Sequence, residues 1–213
     1  RYLSNFSSGK MAKSLCLSLY LKGADVHYIT TMGNEGLPQN ILTINVNNTE
    51  ELLEQTQNAL VVARKKTNNQ SSGTSHVTHL KKPYLFMVAA VSDFTPKFPQ
   101  LGKLKKSMLG ESWNIELKQT PDILFSLDKT DIKTIAFKAE MDSHNGLSNA
   151  ESLLEAKNVD AVCYNLLYNA HSFGTSDNEI TFITKEAQIP LGKADKLTLS
   201  NRILTQAKEL IDA

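Results

Sequence analysis

The stretch LFMVAAVSD, residues 85–93, decides how this chain folds. Apolar residues run from Leu85 to Val91 without a polar break. Such a run is too short to cross a membrane and shows no alternation. It predicts a strand covered on both faces, the usual state of a central strand in a parallel sheet. The run stops at Ser92-Asp93, and Lys103, Lys105 and Lys106 follow. A carboxylate at the carboxyl end of a parallel strand sits where open α/β sheets bind ligands. The lysines predict that such a ligand carries negative charge. The same residues also fit a core strand followed by a solvated loop.

Composition narrows the class. The 213 residues are 41% hydrophobic and 21% charged, enough for one domain, 1–213, with a sizeable core. Lys+Arg number 23 and Asp+Glu 22, so no global field points to nucleic acid or an acidic membrane. Any basic site must be local. Cys16 and Cys163 are far apart, with neither metal spacing nor a disulfide framework. They predict a reducing, cytoplasmic setting. No apolar run reaches a membrane span, and no signal or transit pattern opens the chain. Because Arg1 opens the chain inside a motif, a preceding segment is expected.

Upstream of the apolar run, Asn5, Ser7, Ser8 and Gly9 lead into a predicted helix over 10–22, with Ser7 or Ser8 as its cap. Small residues at a helix start let backbone donors approach an anion. Gly23 marks the end by a left-handed turn. Strands are predicted at 25–30 and 41–46. A helix over 49–66 has its acidic residues first and Arg64, Lys65 and Lys66 last, which suits the dipole. Residues 67–79, TNNQSSGTSHVTH, read as a polar surface excursion. His76 and His79 have no third ligand nearby, so a solvated loop outweighs a metal site.

Downstream, SWNIEL at 112–117 alternates like a half-exposed strand. Pro121, taken as a first helical residue with Asp122 beside it, predicts a helix start. Strands are expected at 134–139, 159–164 and 179–183, and helices at 149–157 and 196–212. Alternation of strands and helices predicts an α/β, Rossmann-like fold. Its sheet is expected to be mainly parallel, with helices on both faces and a peripheral antiparallel extension. Four polar element ends can then converge: Asn5 to Gly9, Asp93 with Lys103, Pro121-Asp122, and Lys138 to Glu140 with Asn165. Such a site suits a nucleoside triphosphate, with Phe137 available to stack on the base.

SNFSSGKMA at 4–12, AAVSDF at 89–94, KLKK at 103–106, TPDIL at 120–124, AFKAE at 136–140 and FGTSDNEITFI at 173–183 occur in the order found in phosphopantothenoylcysteine synthetases. The chain resembles that family over nearly its whole length, and the form without a fused decarboxylase is similar to eukaryotic, fungal members. The resemblance implies a ligase that joins 4′-phosphopantothenate to L-cysteine through an acyl-nucleotide. It implies Mg²⁺ with ATP, CTP being the bacterial choice, and a homodimer. It assigns catalysis to Asn5 and Lys103, and substrate handling to Arg1, Asn5, Ala89 and Ala90. It assigns nucleotide contacts to Ser7, Ser8, Gly9, Asp93, Lys103, Pro121, Asp122, Ile123, Leu124, Phe137 and Lys157. Metal ligands are not assigned. The chain departs from the family in Leu153, where bacterial members carry a lysine, and in Ser92, where they carry an alanine. The family's N-terminal strand and glycine-rich turn also do not precede Asn5.

Two other classes compete. A Rossmann oxidoreductase predicts GxGxxG and an acidic residue about twenty positions on, and neither appears. A non-catalytic nucleotide-binding protein would bind ATP without exchanging pyrophosphate into it.

Overall fold

The computed structural model describes residues 5, 7–70, 82–100, 102, 105, 111–141, 144–167, 175 and 177–210, with backbone only at 68–70. In chain order the elements are α1 (Lys10–Leu21), β1 (His27–Thr30), β2 (Leu42–Asn45), α2 (Thr49–Gln70), β3 (Tyr84–Met87), β4 (Phe94–Pro96), β5 (Leu117–Gln119), α3 (Ile123–Ser126), β6 (Lys133–Glu140), α4 (Gly146–Ala156), β7 (Ala161–Leu166), β8 (Asp177–Ile183), β9 (Gln188–Asp195) and α5 (Lys196–Glu209).

Five strands form one sheet in the order β3-β6-β7-β8-β9. β3, β6 and β7 run parallel, and β8 and β9 add an antiparallel extension. β1 and β2 form a parallel pair, and β4 and β5 an antiparallel one. The expected Rossmann-like α/β arrangement is present.

Period-two alternation sorts the core. Ile135, Ala161 and Cys163 face α1 and α5, packing with Met11, Leu15, Leu199 and Ile203. Ala136, Val162 and Tyr164 face the opposite way, onto Ala150 and Leu154 of α4. Both faces of β6 and β7 are thus covered, and Ile135 and Val162 are fully buried. Burying an aliphatic side chain of this size contributes roughly 1.5–3 kcal/mol.

β1 and β3 share the layer between α1 and α2. Tyr28 clusters with Cys16 of α1, and Tyr84 and Phe86 pack with Met11 and Leu15. On the other side, Ile29, Leu85 and Met87 meet Leu52 and Leu60 of α2. Among the described residues β1 and β3 do not pair, so the layer is interrupted there.

Several expectations are corrected. The 85–91 run forms a strand only over Tyr84–Met87, and that strand is half-buried at the edge of the five-stranded sheet, not central. Helices on both its faces explain the unbroken apolar run; an unpaired second edge explains the partial burial. The 112–117 strand is displaced to β5, whose partner β4 sets the register. α1 is not capped by Ser7 or Ser8. Gly9 is its N-cap, at φ 66°, with no side-chain cap bond. Gly23 does end the helix as expected, at φ 79°, its N–H donating to the Tyr20 carbonyl at 2.9 Å.

α2 runs to Gln70, so the polar excursion begins inside a helix and the basic trio is not in its last turn. Its start is a reciprocal cap: the Glu51 N–H donates to Asn48 Oδ1 at 2.8 Å, and Glu51 accepts from the Asn47 N–H at 2.8 Å. Pro121 precedes the α3 cap and is not its first residue. Residues 71–79, with His76 and His79, lie outside the described residues. No described helix is long and apolar enough to cross a membrane.

Candidate active site

The carboxyl ends of β1 and β3 meet the segment before α1. The Asn5 side-chain amide donates to the Val91 carbonyl at 2.9 Å. Gly9 lies against Met32, just beyond β1; a Cβ there would come 3.4 Å from Met32 Cγ. Positive φ and close packing both favour glycine at this point. Ser7 is exposed, Ser8 is half-buried, and Ser7 Oγ accepts a long bond from the Gly9 N–H at 3.4 Å. The helix start therefore faces the strand exit that the apolar run was expected to mark.

Thr120 fixes the other wall. Its N–H donates to the Asp93 carbonyl at 3.0 Å, and its hydroxyl donates to the Ser92 carbonyl at 2.5 Å. Ser92 Oγ in turn donates to the Phe94 carbonyl at 2.9 Å. The β3 exit and the 119–124 segment are so joined around a cavity of about 590 Å³. Its size suits a small organic ligand. Met87, Ile123, Leu124, Phe137 and Leu153 give it an apolar side; Ser92, Asp93, Gln119, Thr120 and Asp122 give it a polar one.

Of the expected site residues, Ala89, Asp93, Pro121, Asp122, Ile123, Leu124 and Phe137 line this cavity. Phe137 is shared, since it also packs on the α1–α5 cluster. Ala90 is exposed beside the cavity wall, and Asn5 joins the site through Val91. Lys157 does not line the cavity; its amine donates to Asp122 Oδ2. Arg1 and Lys103 lie outside the described residues. Thr120, Gln119 and Met87 were missed by sequence reasoning, although Thr120 stands in the TPDIL motif. Gln119 and Thr120 take their places from pairing with Phe94 and from bonds to Ser92 and Asp93, and Met87 from the carboxyl end of β3, where it pairs with Ala136.

The lining is electrostatically one-sided. Two carboxylates, Asp93 and Asp122, border it, and no described lysine or arginine does. Burial raises the Asp122 pKa, but hydrogen bonds from Lys157 and the Phe125 N–H outweigh that and hold the carboxyl below its usual range. Such a cavity accepts hydroxyl and amino hydrogens and apolar rings. Among the described residues no group of three His, Cys, Asp or Glu could hold a metal.

The family model for the DNA/pantothenate metabolism flavoprotein C-terminal domain matches residues 1–65 and 67–210. This chain belongs to that family. The bifunctional coenzyme A biosynthesis protein CoaBC of Vibrio parahaemolyticus is 28% identical to this family member over 215 residues, covering 99% of the chain and 49% of that protein. The chain spans about half the length of the curated relatives it matches. The crystal structure of a CoaBC C-terminal domain, 24% identical, aligns with a TM-score of 0.69 over 100% of this chain and 88% of its own. A Cab2 mutant in complex with phosphopantothenate-cysteine, 16% identical, aligns with a TM-score of 0.58 over 100% and 82%. These two likenesses establish a shared fold for the flavoprotein C-terminal domain.

Proposed function

We propose that this chain joins 4′-phosphopantothenate to L-cysteine, as a coenzyme A-forming ligase. The observation that carries the reading is the bond from Asn5 to Val91. It brings the 5–9 segment to the rim of the cavity built from the β3 exit and residues 119–124. The Vibrio relative is named for coenzyme A biosynthesis, and the Cab2 structure holds phosphopantothenate-cysteine, which supports the same chemistry here.

A carboxylate resists attack by an amine because its leaving group would be an oxide. In the first step an oxygen of the phosphopantothenate carboxylate bonds to the nucleotide α-phosphorus, and pyrophosphate leaves. In the second the cysteine nitrogen bonds to the acyl carbon, the acyl C–O bond breaks, and the nucleoside monophosphate leaves as the amine loses a proton.

The nucleoside end occupies the cavity. Its base lies along Ile123, Leu124, Leu153 and Phe137, with Asp93, Pro121 and Asp122 around the sugar and polar base edge. The triphosphate points to Ser7, Ser8 and Gly9, with Lys103 as its cation, while Lys157, paired with Asp122, is a further nucleotide-site lysine; fixed donors and cations stabilise charge that develops there. Ala89 and Ala90 leave room for the acid, Arg1 handles it, and the Asn5 amide donates to the acyl group. Mg²⁺ enters as part of the nucleotide substrate, held mainly by phosphate oxygens and water. ATP is the proposed nucleotide, with CTP second, and the protein acts as a cytoplasmic homodimer of the eukaryotic kind.

The test is pyrophosphate release with ATP and with CTP in parallel. Release that requires 4′-phosphopantothenate and proceeds without cysteine is expected, faster with ATP. Asn5→Ala is expected to slow product formation more than this first step. ATP binding without acid-dependent release would make the chain a non-catalytic nucleotide-binding protein.

A further inference from the structure

The polar side of the cavity at the β3 exit is made by Ser92, Asp93, Gln119, Thr120 and Asp122. Most of these side chains are already committed. Ser92 Oγ donates to the Phe94 carbonyl, and the Thr120 hydroxyl donates to the Ser92 carbonyl. Asp122 accepts from the Phe125 N–H and from the Lys157 amine. Asp93 and Gln119 are left. Among the described residues neither side chain makes a hydrogen bond or an ion pair.

The two groups offer different chemistry. An ionised carboxylate only accepts, whereas a carboxamide accepts through its oxygen and donates through its nitrogen, side by side. Gln119 therefore brings the uncommitted side-chain donor of the described lining.

The fold holds this amide in place without using it. Phe94 and Gln119 are register partners in the β4–β5 ribbon, and the Thr120 N–H donates to the Asp93 carbonyl at 3.0 Å. Gln119 is exposed, so no packing demand accounts for its side chain. Leu124, Phe137 and Leu153, on the apolar side, suit the face of a flat ring and leave its edge to the polar side.

An adenine edge fits that remainder. Its N6 amino group donates and the neighbouring N7 accepts, the pattern that glutamine pairs with through two bonds. A 6-oxopurine presents two acceptors on the same edge, and its oxygen would meet acceptors only.

We propose that Gln119 is the base-reading residue of the nucleotide cavity. Its amide oxygen accepts from adenine N6, its amide nitrogen donates to N7, and Asp93 accepts the second N6 hydrogen. The inference rests on the proposed nucleotide reading of this cavity and names what selects the base.

Calorimetric titration of the full chain with ATP, ITP and 7-deaza-ATP, each with Mg²⁺, decides it. ITP carries oxygen in place of the N6 amino group, and 7-deaza-ATP carries C–H in place of N7. Native protein is expected to bind ATP more tightly than either analogue by about tenfold, within the range of one bidentate base contact. Gln119→Leu should keep the native melting point and bind ATP about tenfold more weakly. It should also lose its preference over 7-deaza-ATP and most of that over ITP. A role in wall structure alone would weaken all three ligands together and leave the preference intact, which overturns the assignment. Native protein that binds all three alike overturns it without any variant. Native protein that binds none of them removes the nucleotide reading itself, and the role of Gln119 with it.

Discussion

Asp122 divides its two oxygens between fold and site. Oδ1 accepts the Phe125 N–H at 2.9 Å and starts α3, while Oδ2 accepts the Lys157 amine. Asparagine can replace the cap but not the ion pair; alanine loses both. Asp122→Ala is expected to lower stability at pH 7 by about 1 kcal/mol, and Asp122→Asn by less. The carboxyl is held below its usual range, so its contribution is present above the unfolded-state pKa of about 3.9 and is lost as pH falls through the folded value. Melts at pH 7 and below about pH 3 should therefore find the gap between native and Asp122→Asn at the higher pH and closed at the lower. A gap that persists in acid would mean the carboxylate acts through something other than its charge. At this scale the sequence was informative where the motif residue itself touches the cavity, as Asp93 and Asp122 do. It was silent on Thr120, whose hydroxyl partner is 28 residues away.

Elements were legible in kind and less so in place. α1, α4, α5, β6 and β7 stand close to the stretches their periodicity predicts. The apolar run at 85–91 misled, because a strand with helices on both faces looks the same at an edge as at the centre. Edge or centre is decided by pairing partners distant in sequence. The difference is energetic as well as geometric. β6 and β7 have strand neighbours on both sides, whereas β1 and β2 have only each other among the described residues. Two-stranded sheets hold their amides weakly. Hydrogen exchange should find the Ile135, Ala136, Val162 and Cys163 amides slower than those of Tyr28 and Ile29 by about two orders of magnitude. Equal protection would show that the interruption between β1 and β3 is filled in solution.

At the scale of the whole molecule, the described residues include an exposed aromatic surface out of keeping with a solitary domain. Around the β4–β5 pair, Phe94, Phe98, Trp113, Ile115 and Leu117 are all exposed, Phe98 at 63% and Trp113 at 49%. Lys97 lies 5.4 Å from the Phe98 ring centre and bonds Glu116 at 2.5 Å. A two-stranded ribbon with a large apolar face is marginal alone, and grouped exposed aromatics mark association surfaces. The ribbon also leads directly into the cavity walls at Phe94, Gln119 and Thr120. An association that steadies it would steady the site. The proposed homodimer is therefore expected to use this ribbon. Sedimentation of native protein should give a dimer, and Phe98→Glu should shift it to monomer without unfolding the core. Trp113 is the chain's one tryptophan and reports the same event. Its emission should move to longer wavelength in Phe98→Glu and on dilution of the native protein. A native monomer at every concentration, with unchanged emission, would assign the ribbon to another partner and leave the site complete within one chain.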